Sequence, residues 1–456
     1  MRNWPILNVL GVFLLLGIGE SKILRAADKP LNFVIFLADD LGWGDLASFG
    51  NPTIKTPNLD QFAKQGMRLT QCYSASGVCS PSRSAIMTGR TPFRTGVYNW
   101  IPEGSDMHLR RSEITVAKLL KDKGYATCHV GKWHLNGMFN SPEQPQPSDH
   151  GFDWWMSTQN NAAPSHKNPK NFVRNGQAVG PMEGYSAPLV VQEGIDWLKQ
   201  KRDPNKPFLL CVWTHEPHLP IESDPKFMAD YSSLANDVQQ HHGNVTQLDF
   251  AFGELMKSLD EMKLADNTFV IFTSDNGPEG NGDDGRTRGS TGGLRGRKRD
   301  VYEGGIRVPA MVRWPSGVKP GSQSNTPIIG SDIFATICDL AGIAPPNDRV
   351  IDGGSFREVL GGGDKITRSR PLYWNCPLAR GPRKIALRIG DWKILSDAKF
   401  KDLELYNLAT DLHEENNLAE KEPTKLLELK QALVKLSAEL AAEGPQWKEP
   451  ATPKKK

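Results

Sequence analysis

The sequence is poor in the features that mark fibrous, disulfide-built or membrane-spanning chains. Only six of its 456 residues are cysteine, which excludes a disulfide scaffold. Its longest apolar run, Ile6 to Gly19, falls short of the roughly 20 residues that a spanning helix needs. Neither sign of charge is in excess: 55 basic residues face 52 acidic ones, for a formal net charge of +3. That balance argues against nucleic acid as a partner. No repeat of fixed period is visible, so solenoids and propellers are excluded. No short-spaced histidine pair of the H-E-x-x-H kind falls on a helical pattern, which argues against a helix-borne zinc centre. What is there reads as globular: hydrophobic residues make up 38% and charged residues 23%. The 43 glycines and 33 prolines exceed the usual share and point to long loops rather than a helical bundle.

The first 27 residues read as a targeting segment rather than fold. Arg2 precedes the apolar run, and Arg25-Ala26-Ala27 follows it. A charged start, an apolar middle and a small-residue end are the three parts of a secretory signal peptide. No cysteine precedes Cys72, so a lipid-anchoring site is absent. The expectation is an exported protein, periplasmic or secreted (lysosomal in a eukaryotic host).

Beyond that segment, buried runs alternate with helical patterns. Asn32–Leu37, Ala126–Val130, Phe208–Trp213 and Phe269–Thr273 read as strands covered on both faces. Leu59–Lys64 carries helical spacing, and Ser112-Glu113 is read as opening a helix that Gly124 stops. Strands alternating with helices imply an α/β fold with a large, mostly parallel sheet flanked by helices on both faces. After about residue 365 the texture changes. Ile385–Ile389 and Trp392–Leu395 flank Gly390-Asp391 as a hairpin, and Lys425–Leu440 repeats leucine at helical spacing. The expected organisation is a catalytic domain over 28–365 and a smaller α+β subdomain with an antiparallel sheet over 366–448. A solvated tail is expected over 449–456.

Each of the four strands runs directly into residues able to do chemistry. The first leads to Asp39-Asp40, the second to Lys132-Trp133-His134, the third to His215-Glu216-Pro217-His218, and the fourth to Asp275-Asn276. Ligands of open α/β sheets bind beyond the carboxyl ends of the strands, so these four stretches can converge on one crevice. Asp39, Asp40, Asp275 and Asn276 offer only oxygen donors, the preference of Ca²⁺ or Mg²⁺.

The sharpest signal is Cys79-Ser80-Pro81-Ser82-Arg83. The C-x-P-S-R pattern arises by chance on the order of once in a thousand chains of this length. Pro81 suits a first helical turn and Ser80 its cap, so Cys79 is expected at a helix N-terminus, where unpaired amides attract anions. Arg83 falls one turn on, on the same face. Cys79 reads either as a small buried residue or as a thiolate nucleophile. A thiolate sits badly beside a hard, oxygen-loving cation.

On these residues the chain resembles the type I sulfatases. Thr88-Gly89-Arg90, Leu41-Gly42-Trp43-Gly44-Asp45, Gly131–Leu135, Tyr302-Glu303-Gly304-Gly305 and Glu404–Leu408 are similar to further stretches of that family. The resemblance implies an alkaline-phosphatase-like fold and a sulfuric ester hydrolase whose cysteine, here Cys79, is converted to formylglycine by a maturation enzyme. It assigns Asp39, Asp40, Asp275 and Asn276, with the modified Cys79, to one Ca²⁺ ion. It also implies that Arg83 holds the modified side chain and the sulfate, and that Lys132, His134, His215 and Lys298 line the rest of the pocket. His134 is then the candidate base for release and His215, with Lys298, the candidate acid. His218 competes with His215, and the arginines beside Lys298 compete with it.

The implied substrate is a sulfated saccharide or an aryl sulfate. A phosphatase or phosphodiesterase of the same superfamily would favour a serine or threonine nucleophile and two metals, against which Cys79 argues. A non-catalytic binder of sulfated glycans is the reading left if Cys79 stays unconverted. Trp133, Trp154, Trp155 and Trp374 are candidates for stacking on sugar rings, and Asn244-Val245-Thr246 fits a glycosylation signal.

Overall fold

The computed structural model describes residues 29–280 and 288–447, with Met1. The expected signal peptide and the lysine tail lie outside the described residues.

Five parallel strands form the middle of a ten-stranded sheet, in the order Thr268–Ser274, Asn32–Ala38, Phe208–Trp213, Ala126–Lys132, Trp154–Thr158. All but one of their residues are buried, as strands covered on both faces must be. Residues alternate between two cores. Phe33, Ile35 and Leu37 point into one and Val34, Phe36 and Ala38 into the other. Helices cover both faces. Cys79–Thr88, Val116–Asp122 and Gly330–Leu340 lie on the first, and Pro57–Gln65, Ser186–Asp196 and Asn236–Glu261 on the second.

The margins are mixed: Ser322–Ser324 pairs parallel with Met67–Leu69 at one outer edge, and the strands flanking the middle run antiparallel to it. Met311–Arg313 joins one margin antiparallel to Thr268–Ser274, and Val173–Arg174 joins the other antiparallel to Trp154–Thr158. These marginal strands are two or three residues long, too short for an alternation pattern to mark them in sequence.

Two local expectations are corrected. The helix read from Ser112-Glu113 begins at Val116, where the Thr115 side chain accepts from the Lys118 amide; Glu113 instead takes Arg90 at 2.8 Å. Ser80 does not cap its helix. Val78 occupies the N-cap position without a side-chain bond, and the Ser80 hydroxyl accepts from the Ile101 amide. The glycosylation signal is also closed, because Asn244 is fully buried within Asn236–Glu261.

Beyond residue 371 a four-stranded antiparallel sheet runs Leu372–Asn375, Ile385–Ile389, Trp392–Ser396, Leu403–Asn407 in spatial order. The Ile385 hairpin turns at Gly390-Asp391 as the sequence indicates. Leu429, Leu433, Leu436 and Leu440 of the Pro423–Glu443 helix cover one face.

The other face meets the residues before the main sheet's margin through a buried ionic cluster. Lys393 Nζ lies 2.9 Å from Glu303 and 2.8 Å from Glu414, all three fully buried. Lys393, Arg307 and Arg388 outweigh burial and hold Glu303 down to about 2, whereas burial pushes Glu414 up to about 7. Glu303 opens the short turn Glu303–Ile306, and that turn braces the loop after Thr268–Ser274. The Gly305 carbonyl accepts from the Gly277 amide, and a Cβ at Gly277 would stand 2.0 Å from the Gly304 carbonyl.

Candidate active site

The parallel registers bring the four strand ends level. Leu37 pairs with both Thr273 and Trp213, and Trp213 pairs with Gly131. The residues that follow therefore emerge side by side. Gly131 is required at this edge: its φ is +101°, and a Cβ there would stand 1.9 Å from the Trp213 carbonyl.

Asp39, Asp40, Asp275 and Asn276 meet at this edge. The Asp40 amide donates to Asp275 at 3.2 Å, and Asn276 Nδ2 donates to Asp40 Oδ1 at 2.6 Å. Asp40 adopts a left-handed φ of +64°, which turns its carboxylate toward these neighbours. Three buried carboxylates repel one another, and the titration directions show it. Burial pushes Asp40 up to about 6 and Asp275 up to about 7, with Asp39 adding to both. Burial would also raise Asp39, but Lys132, with His218, Arg83 and Lys298, holds it well below the usual carboxylate range.

Basic side chains surround the cluster. Lys132 Nζ reaches Asp39 at 2.6 Å, and Lys298 Nζ reaches Asp40 at 2.8 Å. Lys298, not a neighbouring arginine, points inward: Arg297 turns to the Glu279 and Gly289 carbonyls, and Arg299 pairs with Glu279. Arg83 is fully buried and donates Nε and Nη2 to Asp275 at 3.0 and 2.7 Å, and Nη1 to the Lys132 carbonyl at 2.8 Å. It thus orients Asp275 and the end of the second strand. Its guanidinium carbon lies 5.3 Å from the centre of the Trp213 ring.

Cys79 begins the helix Cys79–Thr88 and lines a cavity of about 140 Å³ with Val78, Trp100, His134, Asn160, His218, Lys298 and Arg299. Burial outweighs Lys132 and Lys298 and raises its thiol above the ordinary value, with Asp275 and Asp39 adding to the rise. The thiolate reading is therefore not supported. Those same charges place Cys79 within electrostatic reach of the acidic cluster.

The histidines divide. His134 Nε2 faces the Ile101 carbonyl at 3.0 Å, and its Nδ1 has no partner. A carbonyl only accepts, so Nε2 carries the proton and Nδ1 the lone pair. Burial, with Lys132 and Arg83 nearby, keeps the ring neutral well below its usual pKa. His215 does not line the cavity: both ring nitrogens are used, by Thr158 Oγ1 at 2.8 Å and Ser186 Oγ at 2.7 Å. His218 does line it, with Nε2 at 3.5 Å from Asp40. In sequence the family resemblance favours Thr214-His215 over His218; the partners of the two rings point the other way. Burial and Lys298 lower the pKa of His218.

The donor set fits a hard cation. Asp39 Oδ1 and Asn276 Oδ1 are buried oxygens without a hydrogen-bond partner, a costly state unless something electropositive faces them. Asp39, Asp40 and His218 also bring one ligating atom each within 4.8 Å of one another.

The tryptophans singled out in sequence do not reach the cavity. Trp133 and Trp374 are fully buried, Trp155 is nearly so, and Trp154 donates its indole N–H to Glu193. Trp100 lines it instead. Nothing in its local sequence distinguishes it, because the loop carrying it has no periodic pattern.

Comparison with known proteins agrees with this geometry. A family model described as Sulfatase matches residues 31–343, and one described as N-sulphoglucosamine sulphohydrolase, C-terminal, matches residues 296–440. N-acetylgalactosamine-6-sulfatase of Canis lupus familiaris is 33% identical over 426 residues, covering 86% of this chain and 75% of the relative. Steryl-sulfatase of Homo sapiens is 31% identical over 447 residues, covering 80% and 75%. A crystal structure of Ps i-CgsB with k-i-k-neocarrahexaose is similar at TM-score 0.81 and 25% identity, covering 92% of this chain and 94% of the other. A structure described under the metabolism of multiple glycosaminoglycans by Bacteroides thetaiotaomicron gives TM-score 0.76 at 27% identity, covering 91% and 99%.

Proposed function

This chain belongs to the sulfatase family, and from that premise we propose that it hydrolyses a sulfate monoester carried on a saccharide. In this reading Cys79 is converted to formylglycine by a maturation enzyme, and one Ca²⁺ ion is held by Asp39, Asp40, Asp275 and Asn276. The observation that carries it is Cys79 at a helix N-terminus, lining a cavity with Lys298, beside a carboxylate cluster with unpartnered buried oxygens. Support for a saccharide over a steroid substrate comes from the higher identity to N-acetylgalactosamine-6-sulfatase and the likeness to a structure holding a neocarrahexaose. Export through residues 1–27 belongs to the same proposal. No helix among the described residues is long and apolar enough to cross a membrane.

When bound, the ion supplies a fixed positive charge against which a sulfate oxygen is held. The hydrated aldehyde supplies one hydroxyl to attack sulfur and a second whose deprotonation expels sulfate, so water need not attack sulfur. The chain's own residues do the rest. Lys132 and Lys298 stand ready to offset charge on the sulfuryl oxygens before reaction begins. Arg83 keeps Asp275 aimed through its two bonds to one carboxylate oxygen. His134 Nδ1, unprotonated and unpartnered, accepts a proton beside residue 79. His218 takes the place that the resemblance gave to His215: its Nε2 and Lys298 Nζ both face Asp40 Oδ2, and both residues line the cavity. His215 holds Thr158 and Ser186 in place.

These roles separate experimentally. His218→Ala is expected to lower kcat by about 10²- to 10⁴-fold with little change in Tm. His215→Ala is expected to act mainly on Tm, since two buried hydroxyls lose partners at about 1–3 kcal/mol each. The opposite pattern returns the acid role to His215. The activity itself is tested by sulfate release from a panel of sulfated mono- and disaccharides, with aryl sulfate and aryl phosphate alongside. Faster turnover of aryl phosphate, or no sulfate release by protein carrying formylglycine, overturns the reading.

A further inference from the structure

We propose that Trp100 and Arg299 form the sugar subsite at the mouth of this cavity, Trp100 stacking on the ring that bears the sulfate and Arg299 taking a second anionic group on the same substrate. The inference rests on the sulfatase reading and names the substrate class more closely: a saccharide carrying at least two anionic groups.

The cavity is the starting point. At about 140 Å³ it is well below the roughly 300 Å³ at which small-molecule pockets begin. It admits a sulfate group and the atoms next to it, so the remainder of a saccharide must rest on the rim. Trp100 is 37% exposed there, a large apolar surface beside His134, His218, Lys298 and Arg299. Its backbone is anchored on the Ile101 side. The Trp100 amide donates to Asn99 at 2.8 Å, and the next amide, of Ile101, donates to Ser80 at 3.2 Å. The Ile101 carbonyl accepts from both His134 and Gln159. The indole is thus presented from a segment tied to the Cys79 helix and to the proposed base. A rigid aromatic face at such a place suits the C–H face of a sugar ring, which is apolar although its edges are not.

Arg299 supplies the second element. It holds a left-handed φ of +70°, and its amide donates to the Gly77 carbonyl, two residues before Cys79, at 2.8 Å. Its carbonyl accepts from the Arg380 amide at 3.0 Å. The side chains of Lys298, Arg299 and Arg380 all meet Glu279. Lys298 is also paired inward with Asp40, so the outer part is two guanidinium groups sharing one carboxylate. Both are partly exposed, at 31% and 45% of their side chains. Among the described residues, Arg299 and Arg380 share the single carboxylate of Glu279, and their fork geometry suits a carboxylate or a sulfate.

The test measures binding rather than turnover, on protein with Cys79 left unconverted, by titration calorimetry in calcium-containing buffer. The ligands are inorganic sulfate, a singly sulfated N-acetylhexosamine, its disulfated form, and a singly sulfated disaccharide with a uronate. Trp100→Ala is expected to weaken all three saccharides about 10-fold while sulfate stays within about twofold; Trp100→Phe recovers most of the loss. Arg299→Ala is expected to weaken the disulfated sugar or the uronate disaccharide about 10-fold, and the singly sulfated sugar less than about twofold, with Arg299→Lys recovering part. Whichever of the two dianionic ligands responds identifies the second anion as sulfate or carboxylate. Equal losses for sulfate and saccharides in Trp100→Ala, unchanged saccharide binding, or no saccharide binding by the parent protein overturns the subsite. Loss of the sulfatase reading shows separately, as absent sulfate release by the converted enzyme.

Discussion

Cys79→Ala is expected to reduce sulfate release by about 10⁴-fold or more, the scale seen when a covalent nucleophile is removed, with little change in Tm. The side chain is 3% exposed and has no disulfide partner, so its loss removes few packing atoms. Cys79→Ser separates the proposed chemistry from a generic hydroxyl. A serine can take the sulfuryl group once but has no second oxygen on the same carbon to expel it, so sulfated enzyme should accumulate after one turnover. The peptide spanning residue 79 supplies the direct measurement. Its mass in active protein should be lower than the sequence mass by the difference between CH₂SH and CHO. Active protein with the full cysteine mass refutes the assignment.

Asp275→Ala should act through two losses at once. Asp275 is fully buried and is the partner of two Arg83 donors, and it is one of the four proposed cation ligands. Elemental analysis is expected to show bound calcium falling to background, and kcat should fall by at least about 10³-fold. Stability should also fall, since an uncompensated buried guanidinium costs about 3–5 kcal/mol. Asp275→Asn keeps the shape and removes only charge, so it should fold more stably than the alanine variant and still bind calcium poorly. Full calcium stoichiometry in Asp275→Ala contradicts the ligand set.

Much of this centre was legible in the chain because short-range chemistry fixed it. Strands buried on both faces announce themselves as unbroken apolar runs, and the residues just after them sit at the carboxyl edge whatever else the chain does. That logic placed Asp39, Asp40, Lys132, His134 and Asp275 correctly at one edge. The hairpin at Gly390-Asp391 and the leucines of Pro423–Glu443 were local in the same sense. What was not legible depends on partners far away in sequence. Ser80 gives up its cap to serve Ile101, and Glu113 leaves a helix start to Thr115 because Arg90 claims it. The choice between His215 and His218 turns on Thr158, Ser186 and Asp40, none of them neighbours in the chain. Trp100 differs from the other tryptophans only in what fails to cover it. The marginal strands of the large sheet are two or three residues long, below the length at which alternation carries information.

The Lys393–Glu303–Glu414 cluster bears on how such chains can be recombined. One member comes from the hairpin beyond residue 371, one from the segment that follows it, and one from the turn that braces Gly277 next to Asn276. A chimaera that takes its last hundred residues from a homologue lacking the lysine would deprive buried Glu303 of Lys393, and the nearest yielding point is the loop carrying Asp275 and Asn276. Any crossover placed between these positions must therefore inherit the trio as a unit, or the hybrid is expected to fail at the edge carrying Asp275 and Asn276 before it fails at its seam.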